Sequence, residues 1–171
     1  MSDLLANNWR VRAAATADVP QLWELIDHYA PDRRLLSKAM VTLYEDVQDF
    51  VVAEVNGEVV GCGALHVMWS DLAEVRTVAV HPESQGGGMG TALVSELIVR
   101  GRDLGISRIF CLTFETDFFT QFGFQILEDS GVLPHVYEEL LKSGDEGVAE
   151  FLDLERVKPN TLGNHRMILR L

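Results

Sequence analysis

Hydrophobic and polar positions follow two different periods along this chain, one typical of helices and one typical of strands. A helix over about 87–102 is predicted by apolar residues at three- and four-residue spacing: Leu93, Val94, Leu97 and Ile98. Near-continuous apolar runs at about 72–80 and 109–113 predict strands that are buried on both faces. The chain therefore combines buried strands with at least one amphipathic helix.

The same criteria predict the other elements of secondary structure. Further helices are expected at about 16–29, with Thr16 as the N-cap, and at 35–47, 117–122 and 133–141. Further strands are expected at 9–13, 50–55, 58–65 and 166–171, and one opens at Gly123-Phe124. No element is predicted within 143–163, where apolar residues follow no clear period.

Short motifs refine this picture. Asn56-Gly57 between two β-rich runs predicts a hairpin, and Gly61 and Gly63 predict a bulge or a close backbone approach. The alternation of helices with mostly apolar strands predicts an α/β fold. A length of 171 residues is most simply one domain, which would span residues 1–171.

Composition narrows the function classes. A net charge of −12 argues against nucleic-acid binding, which needs a basic face. The sequence has neither an apolar run of membrane-spanning length nor the features of a signal peptide at its N-terminus. Cys62 and Cys111 lie in apolar runs without metal-ligand or redox spacing, so we expect buried free thiols in a reducing cytoplasm. The five histidines also lack metal-ligand spacing, so no metal is expected.

The most informative segment is a glycine-rich turn between the strand at 72–80 and the helix that follows it. Backbone N–H groups at the start of a helix, together with the helix dipole, form a site for a phosphate or pyrophosphate. The dinucleotide spacing G-x-G-x-x-G fails here, and no Gly-Lys-Ser/Thr follows as in the phosphate loop of nucleoside triphosphatases. The alternative is a tight turn without a ligand, which four glycines would make at a cost to the first helical turn.

The spacing Gln85-x-x-Gly88-x-Gly90 after Val78-Ala-Val80 resembles the acetyl-coenzyme A signature of the GNAT superfamily of N-acetyltransferases. The resemblance implies an α/β (α+β) GNAT fold with a mixed central sheet of six or seven strands, flanked by helices and containing a splayed pair of parallel strands. It implies that acetyl-coenzyme A is the cosubstrate. It also implies contacts with the cofactor from Val78, Ala79, Val80, Gln85, Gly86, Gly87, Gly88, Met89, Gly90, Thr91 and Phe119.

A closer resemblance covers nearly the whole chain. Glu74-x-x-x-Val78-Ala-Val-His-Pro and the later Phe-Phe-x-x-x-Gly-Phe124 resemble the acetyltransferase domain of N-acetylglutamate synthases. Gly61-Cys-Gly-Ala-Leu-His66 and Gly147-Val-Ala-Glu-Phe-Leu-Asp-Leu154 resemble the short, single-domain actinobacterial form of amino-acid N-acetyltransferase. This implies acetylation of the α-amine of glutamate or glutamine, the first step of arginine biosynthesis. A homodimer is compatible with it, whereas a nucleic-acid or membrane partner is not expected.

Two other functions stay open on the sequence. One is an acetyltransferase for another small amine or for a protein or peptide amine, which would need an open groove. The other is a non-catalytic module that binds coenzyme A.

The chemistry requires a base, because an α-ammonium is mostly protonated at neutral pH. Glu74 is the expected base, since its position matches a glutamate of the synthases; the alternative is an exposed glutamate on an alternating strand. Thr77 stands where related synthases carry a cysteine, and it is a second catalytic candidate. The backbone N–H of Val78 or Ala79 is expected to hold the oxyanion.

This chain departs from the family pattern at the position of the general acid. Many members have a tyrosine where this chain has Phe119, and a phenyl ring cannot donate a proton. Another group or a water protonates coenzyme A, or the thiolate leaves unprotonated. Tyr44 and Ser37 are further candidates without support from position.

A glutamate-like acceptor needs cations for its carboxylates, preferably arginine. The predicted acceptor-binding residues combine basic side chains with two residues of the strand that faces the cofactor gap: Arg34, Arg76, Lys158, Arg166, Leu112 and Thr113.

Overall fold

The structure is a computed structural model that describes residues 8–31, 38–128, 131–152 and 164–171. Within these ranges the strands are β1 (Trp9–Ala13), β2 (Phe50–Val55), β3 (Glu58–Trp69), β4 (Leu72–Val80), β5 (Arg108–Thr113), β6 (Gln125–Ile126) and β7 (His165–Arg170). The helices are α1 (Val19–Tyr29), α2 (Met40–Glu45), α3 (Met89–Asp103), α4 (Thr116–Thr120), α5 (Pro134–Leu140) and α6 (Glu146–Phe151). No helix among these residues is long and apolar enough to span a bilayer.

The strands form a seven-stranded sheet in the order β1-β2-β3-β4-β5-β7-β6. Strands β4 and β5 run parallel, whereas β5 and β7 run antiparallel. The parallel ladder joins 72–74 to 108–110, while β4 continues to Val80 and β5 to Thr113. The predicted α/β fold, with a mixed sheet and a splayed parallel pair, is confirmed.

The element boundaries correct the predictions at several places. Strand β3 ends at Trp69 rather than at 65, α2 ends at Glu45 rather than at 47, and β6 begins at Gln125 rather than at Gly123. Thr16 is not the N-cap of the first helix: residues 16–18 form a 3-10 turn, and α1 begins at Val19 with Pro20 in its first turn. Helix α3 begins at Met89 rather than at 87, because Gly88 has a left-handed φ of 79°. Helix α6 lies within the segment for which no element was predicted.

The chain forms two compact units, of which unit 1 contains the described residues within 1–65 and 77–100. Its strands β1, β2 and the first part of β3 pair antiparallel. Asn56 and Gly57 have φ of 51° and 86°, which fits the predicted hairpin turn. The core of unit 1 includes residues of α1, α2 and the strands: Val19, Leu22, Ile26, Leu43, Phe50, Val52 and Cys62.

The structure of unit 1 explains why Gly61 and Gly63 of β3 are glycines. The β2–β3 register shifts next to Ala53, which faces Gly61, so the predicted bulge is present. A β-carbon on Gly63 would lie 2.9 Å from Leu97 Cδ1, and one on Gly61 would lie 3.2 Å from Leu93 Cδ1. Both glycines therefore allow α3 to pack closely against the strand.

Unit 2 contains 66–76 and the described residues within 101–171. Strand β5 is its centre, because it pairs with the first residues of β4 on one side and with β7 on the other. Helices α5 and α6 contribute to a core that includes Leu72, Phe110, Val136, Leu140, Val148, Phe151 and Ile168. The prediction of a single domain over residues 1–171 stays a prediction.

Candidate active site

The glycine-rich loop lies in unit 1, between the end of β4 and the start of α3. Residues 85–88 are exposed, and Gly86 and Gly88 have φ of 84° and 79°. A β-carbon on Gly86, Gly87 or Gly88 would meet no atom within 4 Å, so the surface of the loop is open. Helix α3 then begins at Met89 and offers its first N–H groups, which can bind an anion.

A tyrosine of α1 holds this loop through a side chain that the sequence did not single out. The Tyr29 hydroxyl donates a short hydrogen bond to the Val80 carbonyl and accepts one from Gln85 Nε2 at 2.9 Å. Gln85 Nε2 also contacts the Val80 carbonyl at 3.2 Å. Because Tyr29 is only 7% exposed, this link fixes the start of the loop from inside unit 1. The amide nitrogen of Gln85 is thus used to shape the loop.

We expect Tyr29→Phe to raise the Kd for acetyl-coenzyme A about 5- to 10-fold, the effect of losing one or two buried hydrogen bonds. Isothermal titration calorimetry measures this Kd directly. Tyr137→Phe, which removes a hydroxyl from α5 of unit 2, is the matched control and should bind the cofactor as the parent protein does. An unchanged Kd in Tyr29→Phe would mean that the hydroxyl does not set the shape of the loop.

Thr77 has an unusual backbone conformation. Its φ of 57° lies in the left-handed region, which a β-branched residue rarely adopts. Its carbonyl accepts a hydrogen bond from Cys62 Sγ at 3.3 Å, and burial raises the pKa of that thiol to about 12. Such strain persists only where the surroundings impose it, and it clusters at functional sites. Here it interrupts the extended backbone directly before Val78, a predicted oxyanion donor.

Glu74 lies in unit 2, in the last pair of the β4–β5 ladder. It is 4% exposed, so it is not the exposed strand residue of the alternative interpretation. Its Oε2 atom is buried and has no hydrogen-bond partner among the described residues. Burial raises the pKa of Glu74 to about 7, and the nearby Arg76 opposes this rise while Asp145 and Glu150 add to it. A carboxylate with these properties can take up a proton near neutral pH.

Arg76 is engaged by an aspartate that precedes α6. Arg76 Nη1 lies 2.7 Å from Asp145 Oδ1, and Nη2 lies 3.0 Å from Asp145 Oδ2, which is a bidentate ion pair. Burial acts to raise the pKa of Asp145, but the hydrogen bonds and charge of Arg76 outweigh it and hold that pKa at about 2. The predicted contact between Arg76 and the acceptor stays a prediction for a guanidinium that already has a carboxylate partner.

Gly147 of α6 completes this cluster at close range. A β-carbon there would lie 2.6 Å from Glu74 Oε2 and would also collide with the Arg76 guanidinium. The helix therefore approaches the buried carboxylate as closely as a glycine permits. Asp145, Glu150 and Gly147 were not predicted from the sequence, although the N-cap Asp145 before an acidic first turn was a usable signal for a helix start.

Arg166 is partly buried among aromatic residues of unit 2. Its guanidinium carbon lies 5.8 Å from the centre of the Phe110 ring and 5.4 Å from that of Phe151. Its Nη2 donates to the Phe151 carbonyl at 2.6 Å. Leu112, the neighbour of Arg166 in the β5–β7 register, packs against the same core. These contacts fix the orientation of Arg166, whose role toward an acceptor stays a prediction.

The remaining predicted site residues are placed as follows. Phe119 is 6% exposed and packs edge-on against Phe118 and Phe124. Thr113 is 8% exposed, and its hydroxyl accepts a hydrogen bond from the Glu115 N–H at 2.8 Å. Tyr44 is an exposed residue of α2. Arg34, Lys158 and Ser37 lie outside the described residues.

Within the described ranges, no group of three or more histidine, cysteine, aspartate and glutamate side chains could hold a metal ion.

Comparison with known proteins supplies independent information. Residues 15–124 match the family described as "Acetyltransferase (GNAT) family". The chain is 56% identical over 164 residues to an amino-acid acetyltransferase of Mycobacterium tuberculosis, and the match covers 94% of each chain.

Solved structures give the same result. A crystal structure from Mycobacterium tuberculosis in complex with CoA and NLQ has a TM-score of 0.91 and 55% identity, and it covers 95% of this chain and 99% of that one. The N-acetylglutamate synthase of Neisseria gonorrhoeae, in complex with coenzyme A and N-acetyl-glutamate, has a TM-score of 0.75 and 26% identity. That match covers 95% of this chain and 35% of the synthase chain.

Proposed function

Because this chain belongs to the GNAT acetyltransferase family, we propose that it acetylates the α-amine of L-glutamate or L-glutamine with acetyl-coenzyme A. The observation that carries the proposal is Glu74, a buried carboxylate with a pKa raised to about 7 on the strand that leads into the glycine-rich loop. The likeness to amino-acid acetyltransferases along nearly the whole chain supports the acceptor class.

Glu74 is the base in this proposal. An amine can attack a carbonyl carbon only after its ammonium form has lost a proton. The N–H bond breaks and an O–H bond forms on the Glu74 carboxylate, either directly or through a water. Since burial has already raised the proton affinity of Glu74, this transfer is less uphill than transfer to a carboxylate with an ordinary pKa.

Acetyl-coenzyme A supplies the thioester whose carbonyl carbon is attacked and the thiolate that leaves. The loop from Gln85 to Thr91 fits its pyrophosphate, because the open glycines admit a group close to the backbone. We assign the pantetheine contacts to Val78, Ala79 and Val80, and packing against the cofactor to Phe119.

The oxyanion that forms during attack needs N–H donors. The N–H groups of Val78 and Ala79 are assigned this role, since they follow the strained Thr77 directly. Phe119 cannot donate a proton to the leaving thiolate, so a water, another group or an unprotonated departure completes the reaction. Thr77 is assigned a role in orienting water.

We assign the acceptor carboxylates to Arg34, Lys158 and Arg166, and further contacts with the acceptor to Leu112 and Thr113. We place the enzyme in the cytoplasm and its product at the first step of arginine biosynthesis. The resemblance to N-acetylglutamate synthases and the two buried free cysteines, Cys62 and Cys111, support this placement.

An assay of coenzyme A thiol release across all amino acids tests the proposal. Glutamate, glutamine or both should stimulate release well above the background hydrolysis, and the ratio of their kcat/KM values identifies the acceptor. N-acetyl-glutamate, which has no free amine, is the matched negative control. Release that no free amino acid stimulates, with acetyl-coenzyme A still bound, would refute the proposed acceptor class and leave a peptide amine as the alternative.

A further inference from the structure

Asp145 joins three elements of unit 2 through one carboxylate. It forms the bidentate pair with Arg76 of β4, and its Oδ1 accepts a hydrogen bond from Val148 N at 3.0 Å, which caps α6. Its Oδ2 lies 3.8 Å from Nε2 of His66 on β3. None of these hydrogen bonds joins Asp145 to Glu74, so Asp145 acts on the base through Arg76.

Arg76 lies between two carboxylates and is closer to Asp145 than to Glu74. Its Nη1 is 2.7 Å from Asp145 Oδ1 but 3.5 Å from Glu74 Oε2, too long for a hydrogen bond of ordinary strength. Because the Arg76 side chain is only 11% exposed and both Nη atoms bind Asp145, the guanidinium is held in this orientation. Glu74 Oε2 consequently stays buried, without a hydrogen bond from any residue that the structure describes.

We propose that Asp145 is a positioning residue that holds the Arg76 guanidinium away from Glu74 and so keeps the Glu74 carboxylate able to accept a proton. The inference rests on the proposed function, in which Glu74 is the base. Asp145 touches neither the acceptor nor the cofactor in this scheme. The proton step is unchanged: the amine N–H bond breaks, and the O–H bond forms on Glu74.

The charges that face Glu74 support this assignment. Among the described residues, the charged or titratable groups that face it are Arg76 of β4, His66 of β3, and Asp145 and Glu150 at α6, together with the neutral Cys111 thiol of β5. The Arg76 cation is compensated at close range by the Asp145 anion, and Glu150 adds further negative charge. Burial is therefore the main influence on the pKa of Glu74. Without the Asp145 charge, the Arg76 cation within 4 Å of the base would lose the carboxylate that compensates it at close range.

Asp145→Asn is the informative variant, because asparagine caps a helix as well as aspartate does and preserves the shape of the site. We expect the acid limb of the pH profile of kcat/KM to move down by about 1 to 3 pH units, the usual effect of an opposite charge within a few ångströms of a carboxyl group. Turnover at the plateau should fall about tenfold, because a less basic carboxylate accepts the proton less readily. KM for the amino acid should change little.

Two companion variants separate positioning from a structural role. Asp145→Glu keeps the anion and should keep the acid limb near its original pH. Arg76→Met in the Asp145→Asn background removes the cation and should move the limb back upward. An acid limb that stays in place in Asp145→Asn, with only a lower melting temperature, would overturn the proposal, since it would leave Asp145 as a helix cap alone.

A titration without substrate distinguishes failure of this inference from failure of the proposed function. Carbon-13 NMR of labelled glutamate carboxyl groups, with Glu74 assigned by its loss in Glu74→Gln, gives the pKa of Glu74 in each variant. A lower pKa in Asp145→Asn that returns in the double variant supports the proposal even if neither glutamate nor glutamine is acetylated. Identical Glu74 titrations in the parent protein and Asp145→Asn would refute it whatever the acceptor.

Discussion

Replacing Glu74 by glutamine should lower kcat/KM by about 10²- to 10⁴-fold, the range that one general base contributes. Glutamine has nearly the same shape as glutamate but cannot take up the proton of the acceptor ammonium. The Kd for acetyl-coenzyme A should stay within about twofold, because the loop to which we assign the cofactor lies elsewhere on the chain. Steady-state assays from pH 5.5 to 9 and calorimetry measure the two quantities.

The pH profile adds a second criterion. In the parent protein kcat/KM should rise with pH up to about 7, where Glu74 loses its proton, and this limb should be absent from the variant. Glu96→Gln, which neutralises an exposed glutamate of α3, is the matched control and should keep the limb. If Glu74→Gln binds the cofactor and turns over at the parent rate, another group is the base.

The same substitution should make the fold more stable at alkaline pH. The pKa of Glu74 is about 7 in the fold and near its ordinary 4.5 in the unfolded chain. Between these values the unfolded chain releases a proton that the folded protein retains, so the parent protein loses stability as the pH rises through this window. Glutamine does not titrate, and its advantage should reach about 3 kcal/mol at most above pH 7. Chemical denaturation at pH 4.5 and pH 8 checks that Glu74→Gln is folded and that the sign is correct.

Gly147→Ala should have the second large effect, because its new β-carbon would collide with the two charged side chains at the base. An alanine 2.6 Å from Glu74 Oε2 must displace either the carboxylate or α6. Overpacking of this kind costs about 1 to 3 kcal/mol. A displacement of about 1 Å at the base can lower kcat/KM by about 10²-fold. Thermal unfolding and kinetics of the purified variant measure the two effects.

Gly144→Ala is the matched control for Gly147→Ala. Gly144 is exposed, and a β-carbon there would meet no atom within 4 Å, so this variant should resemble the parent protein in stability and turnover. Equal behaviour of the two alanine variants would contradict the close packing of α6 against Glu74.

The sequence was informative where a local pattern fixes the structure. Asn56-Gly57 specified a hairpin because both residues accept a positive φ, and the apolar stripe of α3 specified its buried face. The start of α3 was predicted two residues early, because a glycine fits both the loop and the first turn of a helix. Helix α6 was missed because the apolar residues of the segment 143–163 follow no clear period.

The residues of the candidate site also differ in whether the sequence alone could reveal them. Glu74 and the glycine loop lie in one continuous segment, so spacing and resemblance could select them. Asp145 lies 69 residues after Arg76, and only the fold brings its carboxylate to that guanidinium. The contact of Arg76 with the acceptor stays a prediction, and the sequence around this arginine gave no sign that Asp145 also pairs with it. Thr77 likewise gave no indication of its left-handed backbone.

The buried cysteines have a practical consequence for any colorimetric measurement on this protein. Cys62 and Cys111 are 0% and 1% exposed, and burial raises the pKa of both thiols, that of Cys62 to about 12. At pH 8 only about one Cys62 in ten thousand would be a thiolate, so the native protein should not react with Ellman's reagent. The colour that develops during turnover then counts coenzyme A alone. The same two thiols become visible when the chain opens, which makes them a built-in reporter of unfolding that requires no label.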